Sequence, residues 1–193
     1  MAAPALLFDL DGTVWDSYPW YAKLMATSGA ISEAAVIERL RAGKSVVALL
    51  DRYAVTPARF QKYCRELQLF PGVRETLEEL AGRATPMGAV TSLPGRLVLP
   101  MLDGIGLAGR FSAVIHAGNC RFRKPHPAPL LAALDELEVA ANDSVFYVGD
   151  RQVDAEAAIR GGLAFAWASY GYGEGCPATA KVVLKSFSDV RAL

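Results

Sequence analysis

The chain has 193 residues, enough for one substantial core or for a core with a small appended domain, and its 52% hydrophobic and 21% charged residues exclude a disordered polymer. Lys plus Arg equals Asp plus Glu at 20 each, which excludes a general binder of nucleic acid or anionic lipid while leaving room for a local basic site. Cys64, Cys120 and Cys176 are odd in number and far apart, so they form neither a metal-ligand spacing nor a disulfide framework. Each reads as a small buried hydrophobe, and a reducing cytoplasm is the simplest location. No basic flank precedes the first apolar stretch and no apolar run is long enough to span a bilayer, so neither a targeting segment nor a membrane partner is predicted.

In chain order, Ala5–Phe8 reads as a short buried strand that ends on the acid Asp9. From about Ser17 to Leu69 the pattern is helical, with no strand. Leu24, Ile37, Leu40, Val46, Leu49, Leu50, Phe60 and Leu67 recur at roughly helical spacing. Gly29, Gly43 and Pro57 divide this stretch into about four short helices, and Pro71-Gly72 marks its end. Beyond it, helical patterns over Val73–Ala81, Gly95–Leu102, Pro129–Leu137 and Gln152–Arg160 alternate with apolar runs over Met87–Val90, Ala113–Ile115, Val145–Val148 and Leu163–Ala168. A last run, Val182–Leu184, reads as an edge strand. This alternation predicts an α/β fold, a Rossmann-like parallel sheet with helices on both faces. The predicted organisation is a core of residues 1–16 and 71–193, with residues 17–70 a small all-helical cap inserted after the first strand.

Four strand ends carry chemistry. At the first, Phe8-Asp9-Leu10-Asp11-Gly12-Thr13 sets two carboxylates one residue apart, where open α/β sheets bind ligands. Carboxylates there suit magnesium beside a phosphate, and one can attack phosphorus while its neighbour, kept protonated by mutual repulsion, serves the leaving group. Val90-Thr91-Ser92 places hydroxyls and backbone N–H groups where they can hold phosphate oxygens. In Arg123-Lys124-Pro125-His126-Pro127 the prolines stiffen the chain around Lys124, whose ammonium can neutralise nucleophile and phosphate. Arg121 and Arg123 read as solvated, and His126 as a capping or packing residue. In Val148-Gly149-Asp150-Arg151-Gln152-Val153-Asp154, Asp150 and Asp154 are four residues apart on one side of an opening helical turn. One can ligate a metal while the other orients a ligand, a water or Lys124.

Together these segments resemble, in order, the four motifs of the haloacid dehalogenase-like (HAD) hydrolase superfamily. The resemblance covers nearly the whole chain. Ser169-Tyr170-Gly171-Tyr172-Gly173 is further similar to the phosphoglycolate phosphatase-like branch, although the insert is somewhat short for it. The resemblance implies Asp9 as nucleophile and magnesium ligand, and Asp11 as general acid then base, with its carbonyl on the metal. It implies Thr91, the Ser92 amide and Lys124 as the phosphoryl site, Asp150 as a further metal ligand, and Asp154 in support. Lys44, in Gly43-Lys44-Ser45, falls where the family carries its substrate-specificity loop and could meet a second anionic group or simply be solvated. Trp15 and Trp20 read either as entrance-lining or as core.

The acid at Asp11 favours phosphoryl chemistry over dehalogenation, because a carbon–halogen bond leaves no alkoxide to protonate. The expected activity is magnesium-dependent hydrolysis of a small phosphorylated metabolite, phosphoglycolate foremost. A phosphomutase of β-phosphoglucomutase type is the nearest rival, and a non-catalytic phospho-ligand binder is the alternative from another class.

Overall fold

A computed structural model describes residues 5–193. Its centre is β1 (Leu6–Phe8), wholly buried. Three parallel-paired residues on each side tie it to β4 (Met87–Pro94) and to β6 (Phe146–Gly149). With β5 (Ala113–Ala117), β7 (Ala164–Ala168) and β8 (Val182–Leu184) these form a six-stranded sheet, in the order β5-β4-β1-β6-β7-β8. Every pairing in it is parallel, and β8 is the predicted edge strand. From β1 the chain builds outward to β5, then returns to the other side of β1 at β6. The order therefore reverses beside β1, and the carboxyl ends of β1 and β6 flank the crevice that such a reversal opens.

Alternation along the strands feeds two cores. Leu6, Phe8, Val148 and Ala166 face one side, under α5 (Val73–Gly82), α6 (Gly95–Gly104) and a terminal 3-10 turn over Phe187–Ala192. Leu7, Tyr147 and Phe165 face the other, under α7 (Ala128–Glu136) and α8 (Gln152–Arg160). Both faces of the sheet are covered, which is why its strands read as continuous apolar runs. β4 runs four residues past its predicted end at Val90, with a shift in register before Pro94. In that shift the Thr91 hydroxyl accepts from the Leu93 N–H at 3.1 Å.

The stretch after β1 is helical as predicted: α1 (Ser17–Ala26), α2 (Glu33–Arg41), α3 (Val46–Arg52), α4 (Pro57–Tyr63) and a 3-10 turn over Cys64–Glu66. Ser32, Ser45 and Thr56 cap α2, α3 and α4 by accepting from Ala35, Ala48 and Arg59 N–H groups. Leu24, Leu40, Leu49, Leu50, Phe60 and Leu67 are buried, while Ile37 and Val46 pack half-buried against them. Trp15 and Trp20 belong to this core and do not line an entrance. Of the cysteines, Cys64 is buried and Cys120 half-buried, but Cys176 is exposed, contrary to the expectation for it.

Two strands are absent from the sequence reading. β2 (Trp15–Asp16) and β3 (Gln68–Leu69) pair antiparallel where the helical stretch leaves and rejoins the sheet. Two residues each are too few to show a period of two. Tyr170 and Tyr172, in the loop after β7, brace this junction. The Tyr170 hydroxyl donates to the Thr13 carbonyl at 3.0 Å, and its ring meets Phe70 edge-on. The Tyr172 hydroxyl donates to Asp16 Oδ1 at 2.6 Å and accepts from the Tyr18 N–H at 2.9 Å. Its ring stacks on Tyr18 with centroids 3.7 Å apart. Among the described residues, no helix is long and apolar enough to cross a membrane.

Replacing Tyr172 by Phe keeps the stack but strips a buried N–H and a carboxylate of their partner. We expect a loss of about 1–3 kcal/mol in urea unfolding, with the α-helical circular dichroism signal retained.

Candidate active site

Asp9 is the first residue past β1, and its N–H still donates to the Val148 carbonyl of β6 at 2.8 Å. The strand ladder thus holds the Asp9 backbone, leaving only its side chain to aim. Lys124 reaches in from the segment before α7. Its ammonium donates to Asp9 Oδ1 and to Asp154 Oδ1, both at 2.7 Å, and all three side chains are nearly inaccessible to solvent. Asp154 lies in the first turn of α8, where its other oxygen accepts from the Arg151 N–H at 3.0 Å. The helix start therefore fixes Asp154, Asp154 fixes Lys124, and Lys124 meets Asp9.

Asp150, the first residue past β6, is fully buried. Its Oδ2 accepts from the Tyr172 N–H at 2.8 Å, and its carbonyl accepts from the Trp167 indole at 3.0 Å. Glycine permits this crowding. Gly12 sits at φ +82°, and a Cβ there would strike the Asp150 carboxylate and the Tyr172 ring. A Cβ on Gly171 would strike the Gly12 carbonyl and Asp150.

One carboxylate oxygen each from Asp9, Asp150 and Asp154 lies within 4.8 Å of the others, a buried cluster able to hold a metal ion. Their chemistry separates the three. Both Asp154 oxygens are committed, to Lys124 and to the Arg151 N–H. Asp150 Oδ1 is buried with no hydrogen-bond partner, an uncompensated acceptor of the kind a cation satisfies. Burial and the neighbouring Asp154 push the Asp150 pKa up to about 7. Burial likewise holds Asp9 well above the usual carboxylate range, although Lys124 opposes the rise. Oxygen donors at a buried anionic cluster fit magnesium.

Asp11 reaches the same cavity from the turn after Asp9. Burial raises its pKa. The Ser17 hydroxyl and Trp15 indole oppose that rise from nearby, yet neither they nor Asp11 Oδ1 completes a hydrogen bond. A raised pKa is the direction that a proton donor requires.

The cavity above these groups has a volume of about 660 Å³ and lies between the strand ends and the helical insert. Thr91 is buried in its wall; Ser92 and Lys44 line it from exposed positions. Asp150 lies beneath it. Of the flanking residues, Arg121 is exposed as predicted, and His126 packs on Phe122 while its Nδ1 accepts from the Ala128 N–H at 3.1 Å. Arg123, read as merely solvated, lines the cavity. Arg96, Arg151 and Tyr18 line it too, and the sequence reading assigned them no role.

Tyr147 is the least legible participant. Fully buried on β6, it accepts from the Lys124 ammonium at 2.8 Å, and its hydroxyl lies 3.2 Å from both the Val90 carbonyl and Asp154 Oδ1. The available signal was a Tyr within an apolar strand, since a buried phenol needs a polar partner.

The profile of the family described as haloacid dehalogenase-like hydrolase matches residues 29–168. A phosphoglycolate phosphatase from Pectobacterium atrosepticum is 34% identical over 223 residues, spanning 100% of this chain and 92% of that protein. One from Yersinia pseudotuberculosis is 32% identical over 196 residues, spanning 90% and 84%. The crystal structure of a predicted phosphoglycolate phosphatase from Haemophilus somnus superposes with a TM-score of 0.76 at 26% identity, covering 100% of this chain and 98% of that one.

Two measurements follow from this electrostatics. Between the ordinary carboxylate pKa and about 7, folded Asp150 holds a proton that the unfolded chain has lost, so metal-free stability should fall as pH rises through that window. Thermal melts should show magnesium stabilising the protein strongly at about pH 8 and little at about pH 5.5, with Asp150→Asn flattening both responses. Tyr147→Phe should lower kcat by about tenfold with KM changed less, because Lys124 loses one of the partners that fix it.

Proposed function

The chain belongs to the haloacid dehalogenase-like hydrolase family and is a phosphatase of it; from that premise we propose a magnesium-dependent phosphatase that acts through an aspartyl-phosphate on Asp9, with phosphoglycolate the leading substrate. The observation that carries this reading is the arrangement around Asp9. One buried carboxylate is held by an ammonium at 2.7 Å, and a second carboxyl with a raised pKa lies two residues away on the same cavity.

In the proposed reaction Asp9 attacks phosphorus, forming a P–O bond to the carboxylate as the ester P–O bond breaks. Asp11 gives its proton to the departing alkoxide oxygen. Asp11, now a carboxylate, takes a proton from a water that attacks the aspartyl-phosphate, which returns Asp9 and releases phosphate. Lys124 keeps charge balanced at Asp9 against the burial that would protonate it. Thr91 and the Ser92 N–H bind phosphoryl oxygens at the register shift of β4. Asp9, Asp150 and the Asp11 carbonyl would hold magnesium, which supplies charge neutralisation for the phosphoryl group. Asp154 is a positioning residue, acting through Lys124.

We also propose residues 17–70 as a cap over the α/β core of residues 1–16 and 71–193, hinged near Asp16–Ser17 and Phe70–Gly72. The insert contributes Leu40, Lys44 and Val47 to the cavity wall, which supports that reading. Closure would exclude bulk water while the phosphoryl group is transferred. The similarity to phosphoglycolate phosphatases along the whole chain supports the substrate assignment.

With magnesium and phosphoglycolate, a single turnover should release inorganic phosphate to water. Return of the phosphoryl group to a sugar phosphate would instead identify a mutase. Asp9→Asn should lose roughly a thousandfold or more in kcat, and Asp11→Asn a comparable amount, with melting temperatures retained. Full turnover by Asp9→Asn would rule the aspartyl mechanism out.

A further inference from the structure

Among the described residues, six buried side-chain polar atoms have no hydrogen-bond partner, and three of them stand together: Asp11 Oδ1, the Trp15 indole Nε1 and the Ser17 hydroxyl. Trp15 and Ser17 are completely buried. A buried polar group left unpaired is costly, so three in one place call for a reason. Their chemistry is complementary. An indole N–H can only donate, a hydroxyl can donate, and one carboxyl oxygen can accept from both.

The chain aims these groups at one another. After Asp11 it turns back on itself: the Gly12 N–H donates to the Trp15 carbonyl at 3.0 Å and the Trp15 N–H to the Leu10 carbonyl at 3.1 Å, which sets Asp11 beside Trp15. Ser17 follows two residues later, as the first residue of α1. Both side chains are near enough to Asp11 to oppose the effect of burial on it. The Tyr172 hydroxyl, also near Ser17, is already committed to Asp16 and to the Tyr18 N–H. Tyr21, fully buried one helical turn after Ser17, brings a third donor close to Asp11. Its hydroxyl donates to the Met101 sulfur at 3.9 Å, a weak acceptor.

Asp11 is half-buried and lines the cavity, so its carboxyl has an inner and an outer oxygen. Oδ1 is the inner one, shut in with the donors. Resting on the phosphatase reading, we infer that Trp15, with Ser17 beside it, is a positioning residue for Asp11: the indole N–H and the hydroxyl take Oδ1 and aim the outer oxygen at the leaving group of the ester. Neither residue touches the substrate. Because the indole cannot accept, the proton of the neutral acid is kept off Oδ1 and sits on the outer oxygen, where the departing alkoxide needs it. A carboxyl free to turn would offer the wrong edge for part of the time.

Such positioning matters only where the leaving group must be protonated. The test therefore compares kcat/KM for an alkyl ester that the enzyme turns over, phosphoglycolate foremost, with kcat/KM for p-nitrophenyl phosphate, whose phenolate can depart bare. With magnesium present, Trp15→Phe, which keeps an aromatic ring without the N–H, should lower the alkyl value about tenfold and the aryl value no more than about twofold. Ser17→Ala should show the same split. In an Asp11→Asn background both changes should cost little further, because they act through Asp11. Ser17→Ala removes an unpaired hydroxyl, so its melting temperature should be retained, and it carries the test alone should Trp15→Phe fold poorly.

Equal losses on the two esters would overturn the inference and mark Trp15 and Ser17 as packing residues. Wild-type rates in both variants, or losses that add in full to that of Asp11→Asn, would overturn it too. In each of those cases the phosphatase reading stands. Wild-type protein that hydrolyses neither kind of ester would remove that reading and the inference together.

Discussion

The contact on which the site depends is the buried ammonium of Lys124 set between Asp9 and Asp154. Three acids, Asp9, Asp150 and Asp154, are buried within a few ångströms of one another. Without a cation among them, burial and mutual repulsion would protonate at least one. Burial also works against the ammonium, but the pull of Asp154 and Asp9 outweighs it and Lys124 stays firmly charged. Tyr147 takes a further Lys124 hydrogen bond from below, so the ammonium has little freedom to leave. The lysine is thus structural and chemical together: it offsets part of the cost of burying the acids, and it opposes the protonation that burial favours at the proposed nucleophile.

The rest of the architecture brings these groups to one place. β1 and β6 are neighbours at the point where the strand order reverses, so Asp9 and Asp150 emerge side by side. The opening of α8 supplies Asp154, and glycines at 12 and 171 let two further loops close over Asp150. Asp9 and Asp150 follow directly from strand ends, and Asp154 lies in the first turn of α8. A ladder hydrogen bond holds the Asp9 backbone, and the helix-start N–H of Arg151 holds the Asp154 carboxylate.

Much of this was legible in the sequence because it follows from local rules. Short apolar runs, most ending in polar or glycine residues, marked the parallel strands, and the 3.6-residue recurrence of Leu24, Leu40, Leu49 and Phe60 marked the helical insert. Asp9, Asp11, Lys124, Asp150 and Asp154 stood out because charged residues beside buried strands need a reason. Groups whose role depends on distant partners were hidden. Tyr147 looks like core until Lys124, 23 positions away, is placed against it. Arg151 looks like a solvated helix-start residue until Tyr18, 133 positions earlier, is seen to hold it. β2 and β3 are too short for a periodic signal, and Arg123 resembles any exposed arginine until the cavity is built.

The loop holding Tyr170 and Tyr172 bears on how such an enzyme could diversify. Its backbone binds the Asp150 carboxylate, while its side chains grip Thr13, Asp16, Tyr18 and Phe70 where the insert joins the sheet. The insert is consequently not a free cassette. Transplanting a different one between β2 and β3 would leave these tyrosines facing foreign residues and would disturb the carboxylate behind them. The heritable module is the insert together with the loop after β7, two segments about a hundred residues apart that must change in concert.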